Sequence, residues 1–412
     1  MSTVTAPSKL VDWRTPAFLI ACGCVIAVLS FGPRSTLGFF LSPLSSANGW
    51  GRDVFGLALA IQNLLWGAGQ PFAGAIADKY GAPRVLSAGA ILYALGLYLM
   101  AQSNTPGMLY ISAGVLVGLG LSGCAVPAII GALGKLVPES WRSIAFGAGT
   151  AAGSFGQFLY SPIAVSLMDS YGWQTTLLIF SCMMLLIIPL SLTLMTPGGK
   201  ATPARTAAPS QSVRQAMAEA FRHRSYVLLV LGFFTCGFQL AFITVHLPAY
   251  LVDRGLSTQV GGWTLAVIGL FNIIGSLGAG YLGGIMPMRY ILSVIYFGRA
   301  LAVVAFILLP ASPAATLVFG AVTGLLWLST VPPTSGLVAL MFGTRWLTML
   351  FGFAFFSHQV GGFLGVWLGG VLYEATGSYN IVWWLSVLFG VASAVINLPI
   401  VEQPVARPVA SA

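Results

Sequence analysis

The sequence predicts an all-α integral membrane protein with 12 transmembrane helices in two pseudo-symmetric six-helix halves. Three observations lead to this fold class: the composition, the recurrence of long apolar runs, and one polar segment that divides the chain. Of 412 residues, 57% are hydrophobic and 7% are charged, whereas soluble domains carry about 25% charged residues. A surface with so few charges requires lipid rather than water as its solvent.

Apolar runs of about 20 residues, the length of a helix that crosses a bilayer, recur along the chain. The predicted spans are 16–41, 54–76, 84–102, 107–134, 143–168, 173–195, 226–251, 261–284, 290–310, 314–340, 346–373 and 380–401. Strands of a barrel would alternate in polarity and these runs do not, so helices are expected. The even number of spans places both chain ends on one side.

The distribution of Lys and Arg predicts the orientation. Fourteen of the 18 lie at the side of the chain ends, Arg52 and Arg254 lie at the other, and Arg34 and Arg299 fall within spans. Cytoplasmic loops retain positive charge, so we expect a bacterial cytoplasmic (inner) membrane protein with both termini in the cytoplasm. The scattered cations form no basic face, and no nucleic-acid partner is expected.

One long polar segment divides the chain into related parts. The predicted domains are an N-terminal half (1–195), a cytoplasmic linker (196–225) with a short surface helix near 211–222, and a C-terminal half (226–412). A shift of 205 positions superposes Pro127 on Pro332 and Asp169 on Glu374, together with three glycines, which indicates an internal duplication. Duplicated six-helix halves are typical of transporters with a substrate site at the midplane.

The segment GAIADKYGAPR (74–84) joins the second and third spans and is predicted to gate the cytoplasmic side. Gly74 permits the close approach of another helix, Gly81 allows a tight turn, and Asp78 can pair with cations or cap the next helix. An ordinary basic turn is the alternative interpretation. The predicted gating residues are Gly74, Asp78, Lys79, Gly81 and Arg84.

This loop resembles the Gly-x-x-x-Asp-(Arg/Lys)-x-Gly-x-(Arg/Lys) signature of the major facilitator superfamily, and WRSIAFGAGTAAGSFGQFLYSPI (141–163) resembles the fifth-helix signature of its monocarboxylate transporter branch and bacterial relatives. The resemblance implies alternating access by two six-helix halves. Two departures limit it. Gly284 stands where the second half would repeat the acid, so a latch would rest mainly on Asp78. Asn272 and Ser276 stand where that branch commonly carries an acid and an Arg, so proton coupling through that Arg is not implied.

Ionisable side chains inside spans are functional candidates, because their burial in the membrane must be offset by a partner or a wet cavity. Arg34, beside Pro33, is expected to bind an organic anion through its planar fork, with a structural role as the alternative. His246 and His358 are candidates for proton coupling, with interhelical hydrogen bonds as the alternative. Arg299 is expected to be structural.

Polar and aromatic residues near the middle of spans complete the predicted site. The predicted substrate-binding residues are Arg34, Gln62, Asn63, Gln157, Gln239, Asn272, Trp327, His358 and Gln359. Neither catalytic residues, a metal nor a cofactor is expected. The absence of acids deep within spans argues against a cationic cargo.

The expected function is secondary active transport of a small organic anion such as a monocarboxylate, with a proton as the candidate co-substrate in symport, by a monomer in a lipid bilayer. A neutral or aromatic nutrient such as a vitamin is the alternative cargo, with Trp66 and Trp327 as apolar walls. A membrane receptor or enzyme is the third class. An enzyme would need a nucleophile with its base or a metal cluster, and a receptor would need a signalling domain.

Overall fold

A computed structural model describes residues 14–124, 126–195, 212–343 and 346–405, and these residues form helices without any β-strand. This confirms the predicted all-α class. The first helices are α1 (Pro16–Thr36), α2 (Leu41–Asn48), α3 (Arg52–Tyr80), α4 (Ala82–Ala101), α5 (Pro106–Leu109), α6 (Val117–Cys124), α7 (Val126–Leu136), α8 (Glu139–Leu185) and α9 (Ile187–Thr193). The remaining helices are α10 (Val213–Arg222), α11 (Arg224–Asp253), α12 (Thr258–Leu282), α13 (Met288–Leu308), α14 (Pro313–Leu326), α15 (Val331–Phe342), α16 (Leu347–Thr376) and α17 (Asn380–Asn397).

Many of these helices are long and apolar enough to cross a membrane. By length and composition, ten segments of the described ranges qualify: Pro16–Asn48, Ala82–Ala101, Pro106–Cys124, Gly147–Thr193, Arg224–Asp253, Thr258–Leu282, Met288–Leu308, Pro313–Phe342, Met349–Thr376 and Asn380–Asn397. Large apolar side chains such as Ile111, Val294 and Leu388 are exposed on their outer sides. Such an exterior suits hydrocarbon, where apolar side chains need no burial.

Two helices explain the difference between the ten apolar segments and the twelve predicted spans. Helix α8 contains a break at Gly172, where φ is 77° and ψ is 166°. L-residues disfavour this conformation, so glycine ends one helix there and a second begins. Helix α3, which holds the predicted second span, has 29 residues but is not among the ten apolar segments. Its amides Gln62, Asn63 and Gln70 lower its mean hydropathy.

Close packing at glycines determines which helices pair. Helix α1 packs on α8, α11 on α16, α3 on α16, and α8 on α12. A Cβ added to Gly156 of α8 would lie 2.9 Å from the carbonyl oxygen of Val28 in α1, and one added to Gly361 of α16 would overlap the carbonyl of Phe234 in α11. Small residues let helix backbones approach in this way inside membranes.

The helix ends lie on two faces. Arg14 donates to the carbonyl oxygens of Thr193 and Met195, so the start of α1 and the end of α9 share a face, here called the Arg14 face. Arg52 at the start of α3 binds Asp253 at the end of α11, and these residues define the opposite Arg52 face.

Helices α3 and α16 touch near the Arg52 face and separate toward the Arg14 face. A Cβ on Gly370 would lie 2.8 Å from the carbonyl oxygen of Arg52, and one on Gly67 would lie 2.7 Å from the Cβ of Gln359. Seven residues from Gly67 on α3 and from Gln359 on α16, a Cβ on Gly74 or on Gly352 would meet none of the described atoms within 4 Å. The space between these helices is therefore closed at the Arg52 face and open at the Arg14 face.

The pair α8 and α12 behaves in the same way. A Cβ on Gly269 of α12 would lie 2.8 Å from the carbonyl oxygen of Ser154 in α8. One on Gly147, seven residues before Ser154, would meet no atom of the described residues within 4 Å. Both pairs of crossing helices thus diverge toward the Arg14 face.

Candidate functional site

A buried pair of polar side chains joins α1 to α3. Arg34, one residue beyond the helix-interior Pro33, is 5% exposed, and its Nη2 donates to Oδ1 of Asn63 across 2.7 Å. Since a guanidinium only donates, this bond fixes the amide of Asn63 with its oxygen toward Arg34. The amide nitrogen of Asn63 and Nε of Arg34 have no hydrogen-bond partner among the described residues.

A second polar pair lies on α16. Nδ1 of His358 is 3.2 Å from Oε1 of Gln359, and the imidazole stacks on Phe355 with ring centres 5.5 Å apart. Nε2 of His358 and Nε2 of Gln359 lack a partner within the described part of the chain. With Nδ1 protonated, His358 donates to Gln359 and leaves that amide nitrogen free.

Helix packing places the two pairs side by side. Gln359 packs against Gly67, one turn from Asn63 on α3. A Cβ added to Gly362 would lie 3.6 Å from Cγ of Asn63. We call Arg34, Asn63, His358 and Gln359 the central cluster.

The central cluster is unusual in its unpaired polar atoms. Each of its four side chains is at least nine-tenths buried and has one polar atom without a partner in the described ranges. Buried polar groups are normally paired, and an unpaired one costs about 1–3 kcal/mol. Three of these unpaired atoms, Nε of Arg34 and the amide nitrogens of Asn63 and Gln359, can only donate hydrogen bonds. The side chain of Arg34 is also a cation. The arrangement therefore favours a ligand with acceptor atoms and negative charge.

Tyr93 of α4 is a further buried polar residue near Arg34, with which it interacts electrostatically. Its side chain is fully buried, and its hydroxyl lacks a partner in the part of the chain that the structure describes. The sequence analysis missed it. A tyrosine in the middle of an apolar span is the signal, since a buried hydroxyl needs a partner.

The predicted amides Gln62, Gln157 and Asn272 bind other helices. Gln62 donates to the carbonyl oxygen of Ala113 across 2.8 Å, and Gln157 donates to that of Leu265 across 3.3 Å. Asn272 donates to Oγ of Ser154 across 2.8 Å. None of these hydrogen bonds reaches the central cluster, and they hold helices together.

Arg299 organises a second group of predicted residues inside the α11–α17 bundle. Its guanidinium donates to the carbonyl oxygens of Leu326 and Trp327 at the end of α14, and its Nη1 is 3.4 Å from Oε1 of Gln239. Gln239 in turn donates to the carbonyl oxygen of Ser386 across 2.9 Å. A cation on terminal helix carbonyls is a stabilising arrangement. Arg299, Gln239 and Trp327 thus form one group, and Cys236, which accepts from Nη2 of Arg299, also interacts with His358 of the central cluster.

His246 lies near the Arg52 face, and both hydrogen bonds of its ring go to residues outside the central cluster. Its Nε2 is 2.8 Å from the carbonyl oxygen of Val366, and its Nδ1 is 3.2 Å from the hydroxyl of Tyr379. The ring is fully buried. The two predicted proton-coupling residues therefore lie at different sites: His358 in the central cluster and His246 near the Arg52 face.

Arg52 ties together several helix ends on its face. Its Nη1 and Nη2 donate to both carboxylate oxygens of Asp253 across 2.6 and 2.7 Å, and its backbone N–H donates to Oε1 of Glu374 across 2.6 Å. The guanidinium also donates to the hydroxyl of Tyr379 and lies 4.0 Å from the ring centre of Tyr373. We call these five residues the Arg52 clamp.

The Arg52 clamp was missed because the sequence analysis treated Arg52 only as a loop cation. Burial lowers the pKa of Arg52, but its hydrogen bonds and the charge of Asp253 outweigh burial and raise that pKa above its ordinary value. Opposite charges at helix ends of one face were the available signal.

The predicted gating residues lie around the junction of α3 and α4. Gly81 has φ of 93°, as the predicted tight turn requires, and Arg84 is exposed in α4. Among the described residues, no atom lies within 4 Å of the place where a Cβ on Gly74 would be. The side chains of Asp78 and Lys79 lie outside the described part, so the latch stays a prediction.

Comparison with known proteins adds to this geometry. A family model described as "Major Facilitator Superfamily" matches residues 23–366. The chain is 28% identical over 403 residues to the MFS-type transporter YcxA of Bacillus subtilis, covering 96% of this chain and 97% of that protein. It is 26% identical over 340 residues to monocarboxylate transporter 13 of Rattus norvegicus, covering 79% and 74% of the two chains. It is also 26% identical over 359 residues to the MFS-type transporter YhjX of Escherichia coli, covering 85% and 87%.

Proposed function

Since this multi-pass membrane protein belongs to the major facilitator superfamily, whose members carry small-molecule solutes across lipid bilayers, we propose that it is a secondary active transporter of a small organic anion, with a monocarboxylate as the first candidate. The observation that carries the proposal is the central cluster, in which one guanidinium and two amide nitrogens present unpaired N–H donors.

A carboxylate satisfies these donors better than a neutral or cationic group does. It accepts hydrogen bonds at both oxygens, and charge-assisted bonds to a guanidinium are roughly twice as strong as neutral ones. Arg34 has a neutral partner in Asn63, so its charge is not compensated by that hydrogen bond. The similarity to a protein named monocarboxylate transporter 13 supports the same class of cargo.

We propose 12 transmembrane helices in two halves, 1–195 and 226–412, joined by the linker 196–225. The ten apolar segments agree with this number if α3 is added and α8 is divided at Gly172. Equivalent helices also pair in equivalent ways: α1 with α8 through Gly156, and α11 with α16 through Gly361.

The acids superposed by the proposed duplication support the same layout. Asp169 of α8 accepts a hydrogen bond from Gln259 at the start of α12, across 3.0 Å. Glu374 of α16 accepts one from the backbone of Arg52 at the start of α3. In each case an acid of one proposed half binds the start of the matching helix in the other half.

The mechanism we propose is alternating access, in which the two halves rock about the central cluster. The excess of Lys and Arg assigns the Arg14 face to the cytoplasm of a bacterial inner membrane. The conformation described here then opens toward the cytoplasm, with the Arg52 clamp closing the outer side.

Proton symport is the proposed form of coupling. His358 is the candidate carrier, because its Nε2 is unpaired within the central cluster and a neutral imidazole can bind a proton there. A protonated His358 would add a second positive charge to the carboxylate site. The transporter is proposed to act as a monomer.

An aromatic nutrient such as a vitamin is the second candidate cargo. The rings of Trp66 on α3 and Phe355 on α16 meet edge to face with centres 5.8 Å apart, beside the central cluster, and both are half-buried. Such rings offer an apolar surface for a flat solute.

Uptake by proteoliposomes tests the proposal. A panel of labelled monocarboxylates, neutral vitamins and amines is compared for the parent and for Arg34→Gln and Arg34→Lys. We expect monocarboxylate uptake by the parent, a loss of about tenfold or more in Arg34→Gln, and a smaller loss in Arg34→Lys, which keeps the charge. Unchanged carboxylate uptake in Arg34→Gln would remove Arg34 from the site. The absence of flux for every solute would favour a receptor or enzyme.

A further inference from the structure

One hydroxyl group joins His246 to the Arg52 clamp. Nε2 of His246 lies 2.8 Å from the carbonyl oxygen of Val366, and because a carbonyl only accepts, Nε2 carries the proton of the neutral ring. Nδ1 is then an acceptor, and the hydroxyl of Tyr379, 3.2 Å away, donates to it.

The Tyr379 hydroxyl also accepts a hydrogen bond from Arg52. Nη1 of Arg52 donates to the Tyr379 oxygen across 3.1 Å, so donation runs in one direction from Arg52 through Tyr379 to His246. A proton on Nδ1 would turn this acceptor into a donor and deprive the Tyr379 hydroxyl of its acceptor. It would also place an imidazolium and a guanidinium on opposite sides of one oxygen, where like charges repel.

Both carboxylates of the Arg52 clamp are already engaged by Arg52. Asp253 already holds the guanidinium of Arg52 with both carboxylate oxygens, and Glu374 accepts from the backbone N–H of Arg52. On one side the ring packs closely on Gly369, where an added Cβ would overlap Cδ2 of His246. The titratable and charged groups of this region are Arg52 and Asp53 of α3, Tyr250 and Asp253 of α11 with Arg254 just after it, Tyr373 and Glu374 of α16, and Tyr379.

We propose that His246 is a proton-binding site that controls the Arg52 face: closure of the Arg52 clamp requires a neutral His246, and a proton on Nδ1 opens the face. The proposal rests on the alternating-access mechanism above. Because the closed face binds fewer protons than the open face, linkage shifts the equilibrium toward the open face as pH falls. In this role the proton sets the orientation of the transporter and need not travel with the cargo.

The test measures the width of the Arg52 face without any substrate. The full chain, with its native cysteines replaced, carries spin labels at the exposed positions Ala47→Cys and Asn380→Cys and is reconstituted in nanodiscs. Pulsed electron paramagnetic resonance measures the distance between the two spin labels at pH values from about 8 to about 5. As the pH falls over this range, we expect the population with a long label distance (open face) to rise about fivefold or more relative to the population with a short distance (closed face).

Two variants identify the groups responsible. In His246→Gln, the ratio of the long-distance to the short-distance population is expected to be independent of pH. Tyr379→Phe keeps the aromatic ring but lacks the bridging hydroxyl, and it is expected to lose most of the pH response. His223→Gln, at the Arg14 face, is the matched control and should respond like the parent.

Three results would overturn the proposal: a parent distance that ignores pH, a pH response retained by His246→Gln, or a full response retained by Tyr379→Phe. The last variant keeps the test valid if His246→Gln folds poorly. Because no substrate is present, failure here is distinct from failure of the carboxylate proposal, which shows only in uptake.

Discussion

Asn63 accepts a 2.7 Å hydrogen bond from Arg34 and, in doing so, turns its amide nitrogen away from that cation. The pair therefore presents N–H groups without a competing acceptor of its own. Gln359, packed one turn away on the neighbouring helix, adds another unpaired N–H. Binding at the proposed anion site is therefore expected to depend on the charge of the side chain at position 63.

Replacing Asn63 by Asp is expected to abolish most carboxylate transport. The new carboxylate would bind Arg34 as an internal substitute for the cargo, and losing a charge-assisted bond of about 1.5–3 kcal/mol corresponds to a rise of about 10- to 150-fold in KM. Asn63→Ser, which shortens the side chain without adding charge, should raise KM by less than about tenfold. Equal uptake kinetics of the two variants in proteoliposomes would contradict the prediction.

Arg299→Met is expected to destabilise the fold rather than weaken cargo binding. The change leaves the carbonyl oxygens of Leu326 and Trp327 without their cation, at a cost of about 3 kcal/mol. Thermal unfolding in detergent measures this loss, and the folded fraction should keep the parent's KM. Arg222→Met, at an exposed position, should stay within about 0.5 kcal/mol of the parent. A raised KM with unchanged stability would instead place Arg299 in the site.

Gly74→Leu is expected to fold normally but to block transport. No described atom lies where a side chain at Gly74 would be, and in the proposed alternating access the Arg14 face closes there when the Arg52 face opens. Gly107, which also has open space around it, lies at the opposite face, and Gly107→Leu is the matched control. We expect both variants to unfold at the parent's temperature and only Gly74→Leu to lose uptake, by about tenfold or more. Parent-like uptake by Gly74→Leu would contradict closure at this position.

Cys182 tests whether the exposed apolar exterior faces lipid. Its side chain is the exposed thiol among the cysteines of the described ranges. In proteoliposomes a charged maleimide should label it at least about tenfold more slowly than after unfolding in SDS, because thiolates do not form in hydrocarbon. Asn380→Cys, at the Arg52 face, should label rapidly in both conditions. Equal rates for Cys182 in membrane and in SDS would place that surface in water.

Sequence reasoning predicted the helices well because hydropathy depends on local composition. The span predicted at 84–102 corresponds to Ala82–Ala101, and the one at 261–284 to Thr258–Leu282. The predicted boundary between the fifth span (143–168) and the sixth (173–195) lies at the break at Gly172, although the backbone is helical on both sides of it. The predicted span 107–134 covers the apolar segment Pro106–Cys124 and most of the helix Val126–Leu136.

The site was harder to predict because polarity along a helix does not reveal its partner. Gln62 and Asn63 are adjacent in sequence, yet one binds Ala113 inside the bundle while the other meets Arg34. Gln239 binds Ser386, a residue 147 positions away. Long-range packing decides these contacts, and it also formed the Arg52 clamp, which no local pattern in α3 indicates.

The Arg52 clamp also links the transporter to the salt content of its surroundings. The side chains of Arg52 and Asp253 keep 17% and 30% of their surface in contact with solvent, so dissolved ions screen their attraction. Higher ionic strength on that side weakens the clamp. In the proposed orientation, the balance between the closed and the open Arg52 face, and with it the initial rate of uptake, therefore depends on the ionic strength outside the cell.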